Sequence, residues 1–179
     1  ALLQKVAKPL YARAEFLSRE FPGHLWRVVG PEFATEPYLP PYLFREYVNT
    51  YTGPIVDTIH RYGGFARLHC HGRITSALPA MMDMGIDAID PIEPPGQGDI
   101  ELSEVVELYG DRLSLFGNVE VSDIENLDAV SFERKVRESV EAGRKARGFV
   151  LMPTAAPYGR EVSDLAMKNY ETMVRAVSA

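Results

Sequence analysis

Helical and β-rich patterns alternate along this chain without a break, and that alternation constrains the fold more than any other feature of the sequence. An opening helical pattern on Leu3, Val6, Leu10, Ala14, Leu17 and Phe21 is stopped by Pro22-Gly23. The short runs Leu25–Val29, Phe65–Gly72, Asp87–Ile92, Leu113–Val119 and Phe149–Met152 then read as strands. Helical patterns stand between them, and one more follows on Leu165, Tyr170, Met173, Val174 and Val177. Asp99 and Ser131 are the expected caps of two of these helices. Gly53-Pro54 and Pro79 are expected to kink two others. Such an order implies parallel strands joined by crossover helices.

Two architectures accommodate five consecutive units: a doubly wound sheet, or part of a (β/α)8 barrel. The run Phe65–His71 decides between them. Arg67, His69 and His71 alternate with Ala66, Leu68 and Cys70, so one face is polar and the other apolar. A central strand of a doubly wound sheet is covered on both faces and reads as nearly continuous apolar sequence. A barrel strand instead turns polar residues toward a site at its C-terminal end. The expectation is therefore a parallel α/β barrel of which this chain supplies about five C-terminal βα units, as a single domain over residues 1–179. The chain opens without Met, inside a helix, and is read as lacking an N-terminal part.

Composition narrows the function classes. A net charge of −6 with no basic tract argues against nucleic acid or an anionic membrane as partner. No apolar run approaches the roughly 18 residues of a membrane span. The lone Cys70 and the absence of a recognisable leader point to a reducing cytoplasm.

Three strands end on acid: Glu32, Glu93 and Glu120. In a barrel all three would ring the mouth, where catalytic groups sit, although an acidic residue there can equally cap the next helix or face solvent. His69 and His71 point the same way on a regular strand. They could share a metal ion with a carboxylate such as Glu93, serve as an interior hydrogen-bonded pair, or bind substrate. Cys70 falls on the opposite face as a small packing residue, and Arg67 is expected to pair with Asp87 or Asp90. Arg73, Tyr158 and Arg160 lie in loops above the strands, placed either to bind an anionic substrate or to be solvated.

Several segments in order resemble the superfamily of uroporphyrinogen decarboxylases and zinc-dependent, corrinoid-linked methyltransferases. They are Gly30-Pro31-Glu32, Pro41-Tyr42-Leu43-Phe44, Ile59-His60-Arg61-Tyr62-Gly63-Gly64 and Leu68-His69-Cys70-His71-Gly72. Gly110-Asp111-Arg112, Gly117-Asn118-Val119 and the closing run from Lys168 to Val174 continue the series. The likeness falls on that family's C-terminal half. It implies zinc in the methyltransferase branch, held by His69, by His71 where the family has Cys, and by a later Cys whose place falls on or near Ala155. A carboxylate, Glu93 or Glu120, is then the expected replacement.

The favoured expectation is metal-assisted methyl transfer, with Zn, a thiol or similar acceptor and a corrinoid, carried by a corrinoid protein, as methyl donor. Glu32 and Glu120 are taken as catalytic, and Arg73, Tyr158 and Arg160 as substrate-binding. A cofactor-free decarboxylase of uroporphyrinogen or a related carboxylated substrate is the alternative. It is disfavoured by the acidic Glu32, Glu93, Asp99 and Glu120, which would repel such a substrate. A barrel that binds tetrapyrroles without chemistry is the third reading, motivated by Ala155. Unpaired strand edges predict either a proteolysed or partly ordered remnant of a longer chain or a homodimer that covers those edges.

Overall fold

The computed structural model describes residues 1–177. Five parallel strands form one sheet in the order β1-β2-β3-β4-β5: β1 Leu25–Val29, β2 Phe65–His69, β3 Ala88–Ile92, β4 Ser114–Val119 and β5 Gly148–Pro153. The chain divides into two compact units, Ala1–Ile89 and Asp90–Ala179.

In the first unit, α1 (Leu2–Glu20) packs on α3 (Thr50–Arg61). Tyr11 donates to the Tyr51 carbonyl at 3.1 Å, and Glu15 accepts from Arg61 at 3.0 Å and from the Tyr62 hydroxyl. A short helix α2 (Pro41–Leu43) and a π-helical stretch, Phe44–Asn49, lead into α3, and the helix runs on through Pro54, which lies inside it and has no N–H to give to the Thr50 carbonyl. Pro79 occupies the first turn of α4 (Leu78–Asp83) rather than bending a longer helix. Fully buried Phe44, Val56, Leu68, Ile74, Leu78 and Met81 form the core. In register, β1 sets Leu25 opposite Phe65 and Val29 opposite His69. The strand read as Phe65–Gly72 stops at His69, so His71 lies in the loop beyond it.

In the second unit, β4 and β5 run in register from Ser114 opposite Gly148 to Val119 opposite Pro153. Helices α5 (Leu102–Tyr109), α6 (Val121–Asn126), α7 (Ala129–Gly143) and α8 (Asp164–Val177) complete it. Val119, Ile124, Phe132, Val136 and Ala166 are its buried apolar cluster, with Leu151, Tyr170 and Met173 packed against it. The expected caps are corrected. Helix α5 begins after Glu101, which forms a reciprocal capping box with Glu104, not after Asp99. Helix α7 begins a turn before Ser131: Asp128 accepts from the Val130 and Ser131 amides, both at 3.0 Å. Asn169, fully buried in α8, donates to the Ile124 and Leu127 carbonyls at 3.0 and 2.9 Å and so pins the end of α6. No helix among the described residues is long and apolar enough to cross a membrane.

Candidate active site

The second unit brings two of the acidic strand ends together. Glu93 follows β3 and Glu120 follows β4, and each is only 8% exposed. Close backbone packing sets both positions. The loop after Glu93 turns back so tightly that a Cβ at Gly98 would lie 2.0 Å from the Glu93 carbonyl oxygen. In β4, Gly117 has φ 151°, and a Cβ there would come within 3.0 Å of the Ile92 nitrogen, so only glycine lets the two strands approach there.

Glu120 stands at the N-cap position of α6, yet its side chain makes no cap bond. It turns instead toward Thr154, in the loop after β5. The Thr154 hydroxyl donates to Glu120 Oε2 at 3.2 Å and accepts from the Val121 amide at 3.3 Å. The Thr154 amide donates to the Val119 carbonyl at 2.9 Å, which carries the β4–β5 ladder one step past the strands. Glu120 Oε1 is buried and receives no hydrogen bond, and neither does Asn118 Oδ1 two residues earlier.

Burial, and next to it the charge of Glu93, raise the Glu120 pKa above its ordinary value; the Thr154 bond and the Lys135 charge act the other way, and Asp123 adds to the rise. Asn118 and Glu120 line a cavity of about 560 Å³ that is also bounded by Ser122, Asp123, Lys135 and Glu138. Its cation, Lys135, is engaged by Asp123 at 2.5 Å. A carboxyl whose pKa is raised, with a second carboxylate near it and a cavity beside it, is the kind of group that can exchange a proton.

The first unit holds the histidines. Arg27, reaching from β1, donates through Nη2 to His69 Nδ1 at 2.7 Å and lies 3.3 Å from Nε2. The His69 and His71 rings meet edge to face, centroids 4.6 Å apart. A guanidinium is always charged and only donates, so it stands where a zinc ion would have to draw on this ring. Among the described residues, no three His, Cys, Asp or Glu side chains are gathered closely enough to hold a metal. The residues as placed do not fit the zinc ion that the resemblance implies.

Glu32 lies in a short 3-10 turn, Pro31–Ala34. Its Oε2 is buried without a hydrogen bond, and its carbonyl accepts from Thr35 Oγ1 at 2.8 Å. Arg73 is exposed and shares a backbone bridge with Glu36. Tyr158 and Arg160 are exposed on the loop after β5, and Ala155 is exposed beside them; none of the three is among the residues lining the Glu120 cavity. Cys70 is fully buried, as expected of a packing residue. Asp87 accepts from His60 and from the Ala66 amide, both at 2.7 Å, which accounts for one of the two carboxylates offered as partners of Arg67.

Thr154 and Asn118 were not singled out from the sequence. Asn118 stands in the Gly117-Asn118-Val119 segment that carries the resemblance, whereas Thr154 lies outside every such segment and only borders Ala155.

The parallel sheet with its crossover helices is the fold of a partial (β/α)8 barrel. The family model for uroporphyrinogen decarboxylase (URO-D) matches residues 29–178, and the chain belongs to that family, corresponding to its C-terminal half. Among solved structures, a methyltransferase from Methanosarcina mazei superposes with a TM-score of 0.69 at 18% identity. The match covers 94% of this chain and 46% of that one, so the chain spans about half the length of that methyltransferase. No curated protein sequence gives a significant match.

Proposed function

We propose that this chain carries the proton-transfer site of a methyl-transferring enzyme of the family, with Glu120 as the base that activates a protic acceptor. The observation that carries the reading is the Glu120 carboxyl itself: buried, raised in pKa, and presenting one oxygen with no hydrogen bond beside a cavity. Bases work best with a pKa near the working pH, and a carboxylate moves toward that range only by burial or by a like charge beside it. Glu120 has both.

The step balances without a zinc ion. The acceptor X–H gives its proton to Glu120, the electron pair left on X takes the methyl group, and the pair of the broken methyl bond stays with the donor. A corrinoid supplies that methyl group on this proposal, presented by a corrinoid protein. Arg27 lies against His69, and the step does not call on a zinc ion there. Glu93 tunes Glu120 rather than binding metal.

Decarboxylation of a tetrapyrrole is less well supported. Such a substrate needs cations for its carboxylates, and the cavity offers Lys135, already paired, against Glu101, Glu120, Asp123 and Glu138.

The test is methyl transfer by the full chain from methylcobalamin to thiol, alcohol and amine acceptors of a few carbons. Turnover should rise with pH through the Glu120 titration and fall in Glu120→Gln. Decarboxylation of uroporphyrinogen that survives Glu120→Gln, with no methyl transfer, would overturn the proposal.

A further inference from the structure

The Glu120 cavity holds more information than its acid–base group. Two buried side chains on its wall each leave an oxygen without a donor: Asn118, 9% exposed, through Oδ1, and Glu120, 8% exposed, through Oε1. A buried acceptor left unsatisfied is costly, and native proteins keep few of them. Both orphans are acceptors, so what they lack is a ligand that donates. The Thr154 hydroxyl already spends its proton on Glu120 Oε2, so it cannot serve.

Charge narrows the ligand further. Glu101, Glu120, Asp123 and Glu138 face the cavity against Lys135 alone, and Lys135 is held by Asp123. Glu101 is engaged in the α5 capping box. An anion would meet carboxylates on several sides. A metal ion would need a third close ligand, and no such group is gathered among the described residues. The remaining chemistry is a cation that carries its own N–H donors. A volume of about 560 Å³ accommodates a molecule of several heavy atoms, well beyond one water.

We propose that this cavity binds a small protonated amine, whose N–H groups donate to Asn118 Oδ1 and Glu120 Oε1. The proposal names the class of acceptor for the methyl transfer above and rests on Glu120 as its proton-accepting group. A bound ammonium favours the ionised form of Glu120 against the charges of Glu93 and Asp123, which face it, and adds to that of Lys135. Binding therefore releases protons at any pH where Glu120 is partly protonated.

The experiment is calorimetric titration of the full chain with three probes: ethylammonium, tetramethylammonium and ethanol. The first has charge and N–H donors, the second charge alone, the third a donor without charge. Ethylammonium should bind about tenfold or more tightly than either of the others, the worth of a hydrogen bond to a charged group. It should release protons, seen by repeating the titration in a buffer of different ionisation enthalpy. Glu120→Gln and Asn118→Ala should each remove most of the preference in protein that circular dichroism shows to be folded. If either variant fails to fold, the three-probe comparison on the unaltered chain decides alone. Equal binding of tetramethylammonium, or ethylammonium affinity that survives both substitutions, overturns the proposal. Amine binding without methylation would sink the methyl-transfer reading and leave this site standing. Methylation of a thiol with no amine binding would do the reverse.

Discussion

The two units end their strands on different chemistry. In the first, β1 and β2 bring a guanidinium and an imidazole to a half-exposed position, where Arg27 donates to His69, and the half-buried Glu32 in the turn after β1 keeps one oxygen without a hydrogen bond. In the second, β3 and β4 deliver carboxylates to sites less than a tenth exposed, and one Glu120 oxygen receives nothing. The strands themselves differ in the same sense: β1 alternates exposed and half-buried residues, whereas every residue of β4 after Ser114 is buried. Polar residues at a strand end therefore do not make a reactive site by their identity. Burial without full compensation is what raises the Glu120 pKa, and it is the support for reading Glu120 as the proton-accepting group.

The largest expected effect tests that contrast directly. Glu120→Gln keeps the shape and removes the base, and should lower methyl transfer by about 10²–10⁴-fold, the usual worth of general-base assistance. Steady-state turnover across pH is the measurement. A variant with unchanged turnover and an unchanged pH profile would mean that the buried carboxyl is structural and the contrast carries no function.

Next in size is the packing that holds the buried pair in place. Phe132 is fully buried in the cluster with Val119, Ile124, Val136 and Ala166, and Val119 immediately precedes Glu120. Phe132→Ala should cost about 3–5 kcal/mol, the range for emptying an aromatic core position. Denaturant unfolding of the full chain checks it, and a loss below about 1 kcal/mol would show a core much looser than its burial indicates.

A smaller effect separates the two causes that act on Glu120. Burial is the larger and the Glu93 charge the second, so Glu93→Gln should lower the Glu120 pKa without restoring its ordinary value. The acid limb of the rate profile then moves to lower pH, by less than a full reversal of the rise. Stability follows with a definite sign. A raised carboxyl pKa contributes stability that is present below the unfolded value and lost as pH rises through the folded one. Glu93→Gln relieves part of that loss, so it should raise the melting temperature near neutral pH. The gain should vanish in acid, where both carboxyls are protonated. A gain that persists at low pH would point to packing instead.

Much of this fold was legible because alternation and strand-end acids are local signals. Five strands, their parallel order and the positions of Glu93 and Glu120 follow from runs of a few residues. What escaped the sequence depends on register. Thr154 reaches Glu120 only because Val119 pairs with Pro153, and nothing local in β5 announces that pairing. Arg27 meets His69 across 42 residues of sequence, and only the β1–β2 register brings the two together. His71 was read as part of a regular strand, but the strand stops at His69, so the alternation that put both rings on one face ends between them. Helix α6 went unread because Val121–Asn126 is too short to show a periodic face. Ser131 and Asp128 are both good caps three residues apart, and the choice between them falls to where the helix begins.

The smallest effect concerns that choice. Asp128 is exposed, and its carboxylate holds the Val130 and Ser131 amides at 3.0 Å. The Ser131 bonds above all keep its pKa below the ordinary 3.8; desolvation opposes them, and the Val130 bond adds to the lowering. A lowered carboxyl pKa contributes stability that is present above the unfolded value and lost as pH falls through the folded one. Asp128→Ala should therefore lower the melting temperature at neutral pH, and the difference should close as the solution is acidified below about 3.8. Asp128→Asn retains an oxygen for the same two amides and should keep most of the cap while losing the pH dependence. The sign is opposite to that at Glu120: acid weakens the exposed carboxylate's contribution and relieves the buried one. Melting curves of the two alanine or amide variants over the same pH series would show the slopes crossing. Parallel slopes would mean that exposure, not hydrogen bonding, governs both carboxyls.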